Sequence, residues 1–378
     1  MFPSFCPGGA EVRTATIINA LGRDIEHSIV ALDGRRDAAG RITPDARVAY
    51  VDAPKGKGSL LYGLALRPAI LSIRPDLLLT YNWGAIDAVI AGALPGQLPI
   101  VHAEDGFGSD EAFKRKARRV WARRVLLNTI NLTVVPSIVL RNLAHREYWL
   151  PERRIRYIPN GVDTKRFRRD LGRGWRSGYG IPDNAVVFGF VGALRPEKRL
   201  DFLLSAFASS ASSSDWLVIA GDGPGRAALQ ARARELGIDT RTVFAGDIVD
   251  PAPVYAALDV FAMSSMTEQM PIVLLEAMSS ALPVVSTDVG DIAHMLGATS
   301  TCSVVAPDDF AGYCTLMRRL GGDADLRRTA GTANRQRCAE AFGLDLMIER
   351  YRAMYYAQAG WPVPERYRSD STSFARPQ

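Results

Sequence analysis

Short apolar runs recur along this chain, and longer helix-patterned stretches separate most of them. In the first half the runs are HSIVAL (27–32), ARVAYV (46–51), DLLLTY (76–81), PIVHA (99–103), LTVVP (132–136) and IRYIP (155–159). In the second half they are VVFGFVG (186–192), WLVIAG (216–221), TVFAG (242–246), DVFAMSS (259–265) and PVVST (283–287). Runs that are short, rich in β-branched residues and apolar throughout are the habit of strands covered on both faces by helices. The alternation predicts an α/β fold of doubly wound parallel sheets. A polar, Gly-rich stretch, NGVDTKRFRRDLGRGWRSGYGIPDN (160–184), interrupts it, and a strong strand follows at once. With 378 residues there is room for two domains. The expected division is 1–165 and 166–343, followed by a closing helix and a Pro/Ser-rich tail, 362–378, that reads as disordered.

Several classes drop out early. No run of about 18 apolar residues is present, so no membrane-spanning helix is expected. The first residues lack the charged and apolar regions of a secretory signal. Cys6, Cys302, Cys314 and Cys338 are far apart and form no CxxC pair, and there are only four histidines. Such spacing fits incidental thiols better than a disulfide framework or a zinc site, so no metal is expected.

The net charge of +6 is unevenly placed. Residues 1–165 carry 23 Lys/Arg against 16 Asp/Glu, and the excess concentrates in FKRKARRVWARRVLLN (113–128). At helical spacing Phe113, Ala117, Val120, Trp121 and Leu127 share a face, with Lys and Arg on the rest. A helix of that kind suits an anionic membrane surface, and equally a solvated position. Nothing in the chain matches a nucleic-acid-binding module, so nucleic acid is not expected as a partner.

Three stretches carry candidate chemistry. In SSMTEQMPIVLLEAMSSALPVVST (264–287), Glu268 follows a strand, Pro271 suits the first turn of a helix, and Glu276 lies about one and a half turns in. The free N–H groups expected at Met270 to Ile272 form an anion site between the two carboxylates. A capping acid followed by a surface acid would give the same spacing. In FGFVGALRPEKRLDFLLSAF (188–207), Arg195 and Lys198 follow a buried strand ending at Gly192. Cations there face the crevice where parallel sheets bind ligands, or are two solvated loop residues. His102 follows PIV directly and either faces that kind of crevice or is a satisfied buried histidine. WLVIAGDGPGRAAL (216–229) is a tight strand-to-helix turn; Arg226 stands where a dinucleotide fingerprint has its last glycine. Asp323-Ala324-Asp325 lies between two helical patterns, where a helix cap is expected rather than a metal site.

Glu268 and Glu276 match the E-x7-E pattern of retaining GT-B glycosyltransferases, specifically glycosyltransferase family 4. EQMPIVLLEAMSSALPVVSTDVG is similar to that family's segment over its whole length. VGALRPEKRLDFLLSAF, IAGDGPGRAAL, YIPNGVD and PGGAE follow the family's order and spacing. The resemblance covers about residues 5–360. It implies two Rossmann-like domains facing across a cleft, with the acceptor held mainly by the first, the nucleotide sugar by the second, and the helix at about 344–360 completing the first. It implies that Glu276 binds the ribose hydroxyls and that Glu268 holds hydroxyls of the transferred sugar. Met270 and Ile272 would supply backbone N–H groups, Lys198 would stabilise the leaving diphosphate, and Ile248 would lie near the nucleobase. His102 would touch the donor sugar, and Gly8 and Gly9 would let the backbone approach the diphosphate. Three positions depart from the pattern. Ala193 stands where the family usually has Arg, leaving Arg195 as the substitute. Gln269 replaces a usual Gly. His294 replaces a common Glu and reads as structural.

The activity implied is transfer of a sugar from a UDP-, GDP- or ADP-sugar to a saccharide or lipid-linked saccharide, with retention and without a metal or other cofactor. The expected setting is surface polysaccharide or glycoconjugate synthesis in the cytoplasm, peripheral to the inner membrane face through 113–128. Two other readings stay open: a nucleotide-sugar epimerase of the same fold, and a non-catalytic nucleotide-sugar-binding protein. MFPSFCPGGAEV (1–12) poses a separate question, since only Met1 to Phe5 precede the glycine turn to form a first strand. The expectation is a strand stub or, preferentially, a start upstream of Met1.

Overall fold

In a computed structural model the chain is described at residues 1–56, 60–93, 98–107, 111, 115–167, 173–362 and 364. Beyond 362 and 364, the tail expected to be disordered falls outside the described residues, as does Phe113. The chain divides into two compact units. Unit 1 takes Met1–Asn160 and the chain from Leu346 onward, and unit 2 takes Gly161–Asp345.

Unit 1 contains β1 (His27–Ala31), β2 (Val48–Asp52), β3 (Leu78–Tyr81), β4 (Ile100–Ala103), β5 (Leu132–Val135) and β6 (Ile155–Tyr157). Its helices are α1 (Gly9–Leu21), α2 (Leu60–Ile73), α3 (Ile86–Ala93), α4 (Ala117–Leu127) and α5 (Ile138–Tyr148). β3 to β6 form one parallel sheet in chain order, and β1 and β2 form a parallel pair. The first residues join these two pieces. Phe2 bridges Ala31 in parallel, its N–H donates to the Val30 carbonyl, and the Leu32 N–H donates back to Phe2. On the other side the Met1 amine donates to the Leu79 carbonyl at 2.5 Å. The strand order is therefore β2, β1, residues 1–3, β3, β4, β5, β6. The Phe2 ring stacks on Tyr81 at 4.0 Å and fixes the short segment from its side-chain face. Burial pushes the Met1 amine down to about 5.

Unit 2 is one six-stranded parallel sheet of β7 (Val187–Val191), β8 (Trp216–Ala220), β9 (Thr242–Gly246), β10 (Val260–Met263), β11 (Val284–Thr287) and β12 (Val304–Val305). The helices are α6 (Arg173–Gly178), α7 (Leu200–Ser210), α8 (Arg226–Glu235), α9 (Ala252–Ala257), α10 (Ile272–Ser279), α11 (Ile292–Leu296), α12 (Phe310–Gly322) and α13 (Ala324–Ala341). The spatial order is β12-β11-β10-β7-β8-β9, the doubly wound arrangement. Chain order reverses between β7 and β10, and the loops leaving those two strands diverge there. All residues of β7, β10 and β11 are buried; the two polar ones, Ser286 and Thr287 of β11, donate their hydroxyls to backbone carbonyls. Asp323 caps α13 by accepting from the Leu326 N–H at 2.8 Å.

The closing helix, α14 (Leu344–Ala359), lies almost wholly in unit 1. Its Tyr351 ring faces the Arg13 guanidinium of α1 at 5.6 Å. Where the chain enters and leaves unit 2 the two segments pair: the Val162 N–H donates to the Phe342 carbonyl, and the Leu344 N–H donates to Val162.

α4 overturns the expected face. Trp121 is 56% exposed and Val125 60% exposed, whereas Arg123 is fully buried beside Leu127. Ala117 is exposed as well. The cause is a pair of buried carboxylates beneath the helix. Arg123 donates to Glu104 at 2.8 Å, and Arg119 donates to Glu111 at 2.9 Å. The Trp83 ring packs on both guanidinium groups, at 5.0 Å from Arg123 and 5.1 Å from Arg119. Burial would push Glu104 up, but the Arg123 charge, with His102 beside it, holds it below the ordinary carboxylate range. Burying Arg123 with its counter-charges leaves Trp121 facing outward on the far side of the helix.

Candidate functional site

In unit 2 the sequence places Lys198 and Glu268 seventy residues apart, and the fold brings them into contact. Lys198 ends a short 3₁₀ turn, Pro196–Lys198, after β7, and Glu268 lies in the loop after β10. Because β7 and β10 are neighbours at the reversal of strand order, their two loops meet. Lys198 Nζ is 2.5 Å from Glu268 Oε1, which also accepts from Ser265 Oγ at 2.8 Å. The loops are stitched further along. Ser264 Oγ donates to the carbonyls of Lys198 and Arg199, and the Met266 N–H donates to Glu197. Both charged side chains keep some surface, 20% for Lys198 and 11% for Glu268. The site is preorganised and open to a ligand.

A third loop supports the second. Gly290 has φ +60, and a Cβ there would lie 2.4 Å from the Glu268 carbonyl oxygen. The next residue, Asp291, donates its N–H to Gln269. Gly290→Ala is expected to displace the Glu268 loop and to add about 1–2 kcal/mol of left-handed backbone strain. Urea denaturation would show the loss of stability.

Pro271 caps α10, which begins at Ile272. That is one residue later than its expected place in the first turn. Met270 is buried and Ile272 partly so. Glu276 lies farther along α10, half-buried, and accepts from the Tyr255 hydroxyl at 2.8 Å. Burial raises Glu276 to about 7, against the hydrogen bond from Tyr255 and the Arg166 charge, which lower it. Arg166 is paired with Asp250 at 2.6 Å. Ile248 follows β9 and is partly buried, with Val249 beside it 91% exposed. Arg195 is 63% exposed at the start of the Pro196–Lys198 turn, its guanidinium 4.0 Å from Glu197. It is not drawn into the Lys198–Glu268 pair. At 193 the chain has a small side chain next to Gly192, whose φ is +148. His294 is exposed on α11, and its carbonyl accepts from Arg337.

In unit 1 the assigned residues come out differently. His102 is not beyond its strand but inside β4, with no exposed surface. Its Nδ1 is 2.8 Å from Thr80 Oγ1, and its Nε2 is 3.7 Å from Glu104. The strand runs one residue past it, to Ala103, and the ring is enclosed. Gly8 and Gly9 precede and open α1, with Gly8 as its N-cap in extended conformation. Neither needs glycine for its backbone. A Cβ at Gly9 would meet nothing, and one at Gly8 would meet only the Glu11 carboxylate. What they leave is open space at a helix N-terminus.

The residue that does stand beyond β4 is Asp105, which no motif marked. Arg13 Nη1 holds one of its oxygens at 2.5 Å and Asn160 Oδ1 at 3.0 Å. The Asn82 side chain accepts from the Asp105 N–H at 2.8 Å. Tyr255 was missed in the same way, inside an apolar run. The usable signal for Asp105 was its position two residues past the strand end.

Two family models match the chain. One described as "Glycosyltransferase Family 4" spans residues 7–166, and one described as "Glycosyl transferases group 1" spans 185–323. Among curated relatives, N-acetyl-alpha-D-glucosaminyl L-malate synthase of Bacillus anthracis is 27% identical over 239 residues, 61% of this chain and 62% of that protein. The lipopolysaccharide core biosynthesis mannosyltransferase LpsB of Rhizobium meliloti is 26% identical over 313 residues, 71% of this chain and 88% of that protein. The matched regions span about three-fifths of the first such relatives, 62% and 59% of their lengths. Among solved structures, HepE of Anabaena in complex with UDP superposes with a TM-score of 0.79 at 19% identity, covering 94% of this chain and 98% of that one. Sucrose-phosphate synthase of Thermosynechococcus elongatus gives 0.78 at 19% identity, covering 93% of each. With its doubly wound sheets and both family regions in order, the chain belongs to glycosyltransferase family 4 and has the GT-B fold.

Proposed function

We propose that the chain transfers a sugar from a nucleotide-diphosphate sugar to a saccharide or lipid-linked saccharide acceptor. The observation that carries this reading is the Lys198–Glu268 pair at the strand-order reversal of unit 2, followed along α10 by Glu276. The E-x7-E spacing becomes a cation, a sugar-facing carboxylate, a helix N-terminus and a second carboxylate in sequence. The Lys198 ammonium suits a diphosphate, the α10 N–H groups suit its oxygens, and the two carboxylates suit hydroxyls. HepE has been solved with UDP and with UDP-glucose, and LpsB is a mannosyltransferase of lipopolysaccharide core synthesis. HepE supports a nucleotide-sugar donor, taken here as a UDP-, GDP- or ADP-sugar, and LpsB supports a role in surface polysaccharide or glycoconjugate synthesis. No described helix is long and apolar enough to cross a membrane.

The reading extends to a retaining transfer that draws on Lys198 rather than on a metal ion. The bond from the anomeric carbon to the phosphate oxygen breaks, the acceptor oxygen bonds on the same face, and its proton passes to the leaving phosphate. Lys198 stabilises the negative charge that develops on the diphosphate. Glu268 is already engaged by Lys198 and Ser265, which suits holding a sugar hydroxyl better than attacking carbon. Gly8 and Gly9 keep the role of an unobstructed turn.

The first test is a thermal-shift screen with UDP-, GDP- and ADP-sugars. A bound donor stabilises the fold by mass action, by about 2.7 kcal/mol at a hundredfold excess over Kd, and so raises the melting temperature. No shift with any of the three would overturn the reading. A second prediction concerns pH. If Glu276 accepts ribose hydroxyls as a carboxylate, donor affinity is full above about 7 and weakens as Glu276 takes up a proton. The loss approaches about tenfold for each further unit of acid. Ligand-free stability runs the other way. A carboxyl raised in the folded state favours folding while protonated, and that contribution fades as pH rises toward about 7. Glu276→Gln should flatten the affinity profile; a Gln variant with the wild-type slope would remove Glu276 from the donor site. Calorimetric titration across this range reads both.

A further inference from the structure

The segment from Glu111 to Arg156 holds twelve Lys and Arg against three Asp and Glu, more net charge than the whole chain carries. It spans α4, α5 and the start of β6. Arg119 and Arg123 spend their charge on Glu111 and Glu104, while Arg118, Arg146, Arg153 and Arg156 are exposed. Among these cations stands an apolar cluster with no cover. Trp121 of α4 is 56% exposed, Val125 one turn on is 60% exposed, and Trp149, just past α5, is 59% exposed. The two indoles meet edge to face at 5.8 Å. Trp149 holds its place with a left-handed backbone, φ +57, which carries its ring toward α4. Arg124 lies 3.9 Å from the Trp149 ring centre and 4.8 Å from that of Trp121, and its Nε donates to the Glu147 carbonyl. The indoles are thus rigid and exposed together.

We infer that this Trp121–Arg124–Trp149 cluster, with exposed Arg118 three residues before Trp121 and exposed Arg146 three residues before Trp149, is a docking surface for an anionic lipid bilayer. Indoles favour the headgroup level, where the ring is half in hydrocarbon and the N–H stays wet. Exposed arginines beside them are drawn to anionic headgroups and hold the indoles at that depth. The same rings are poorly placed for stacking nucleobases. Arg124 covers a face of Trp149, and Trp121 presents its edge. The anchor differs from the amphipathic face expected for 113–128. It takes in the end of α5, and its apolar part on α4 is Trp121 with Val125, while Leu127 of the expected face is buried. It goes beyond the sugar-transfer reading and does not depend on it.

The experiment is sedimentation with vesicles of phosphatidylcholine alone and with about a third phosphatidylglycerol, at low and high salt. The full chain is compared with Trp121→Ser/Trp149→Ser and with Arg118→Glu/Arg146→Glu. All the altered side chains are exposed, so melting temperatures should match wild type. The expected result is binding to the anionic vesicles only, released by salt. Each double variant should weaken it by about tenfold or more. A soluble polyanion, poly-glutamate, serves as the competitor. Three results would overturn the inference: no binding to anionic vesicles, tryptophan variants that bind like wild type, or poly-glutamate binding that is equally sensitive to the tryptophans. Because no turnover is measured, failure here leaves the sugar-transfer reading untouched.

Discussion

Lys198→Ala should lower kcat for sugar transfer by about 10²–10³-fold, the usual cost of removing one group aimed at developing charge. The ammonium is held by Glu268 at 2.5 Å and by a loop that Ser264 and Met266 tie to its own backbone. The side chain therefore meets the diphosphate without first paying to become ordered. Glu268→Gln should behave differently. It keeps an oxygen for Ser265 and for a sugar hydroxyl but releases Lys198, so the rise in KM for the donor should exceed the fall in kcat. Melting temperatures of both variants should stay close to wild type, because the pair keeps contact with solvent. Steady-state kinetics with the donor found by thermal shift would decide. If Lys198→Ala turned over at the wild-type rate, the diphosphate would have to be neutralised elsewhere, and the exposed Arg195 would be the next group to remove.

The largest stability effect is expected in unit 1. Arg123→Leu leaves Glu104 and Glu111 buried beneath α4 without one of their counter-charges. Breaking a buried pair from one side typically costs about 3–5 kcal/mol. In a unit of this size that lowers the melting temperature by roughly 10 °C. Replacing both partners, as Glu104→Gln/Arg123→Met, should recover much of the loss, because no uncompensated charge then remains. Urea denaturation of the three proteins tests this. Arg123→Leu with an unchanged midpoint would mean that α4 is fastened by something other than its inward arginine.

The same arginine shows where the sequence stopped being legible. Strand positions follow directly from composition, because a run such as VFGFV can only be satisfied inside a covered sheet. The Lys198–Glu268 meeting was readable as well, once both were placed at the ends of strands in a doubly wound sheet. The facing of α4 was not. Helical spacing put Trp121 and Leu127 on one face and the arginines on the rest, since periodicity assigns charge to water. It has no means of knowing that Glu104 and Glu111 wait beneath the helix, one of them on another stretch of chain. His102 turned on a smaller matter: the strand ends at Ala103, one residue past it, and the ring is buried inside it. Asp105, three residues on, is half-buried and paired with Arg13. Tyr255 was hidden because a tyrosine in an apolar run looks like packing until its hydroxyl is seen on Glu276.

The pairing at the seam of unit 2 has a practical meaning. Val162 and Gly343 lie side by side, with hydrogen bonds on both sides of the bridge. The chain thus leaves unit 1 and returns to it at nearly one point, so unit 2 is built as an insert closed by its own two ends. Such an arrangement lends itself to exchange. The corresponding unit of a relative could be spliced in at this junction while unit 1, with α14 attached, stays intact. Recombination at a single crossover near residue 160 would instead strand Tyr351 away from Arg13. The two units can then be recombined as separate heritable parts, provided that both seams are cut together.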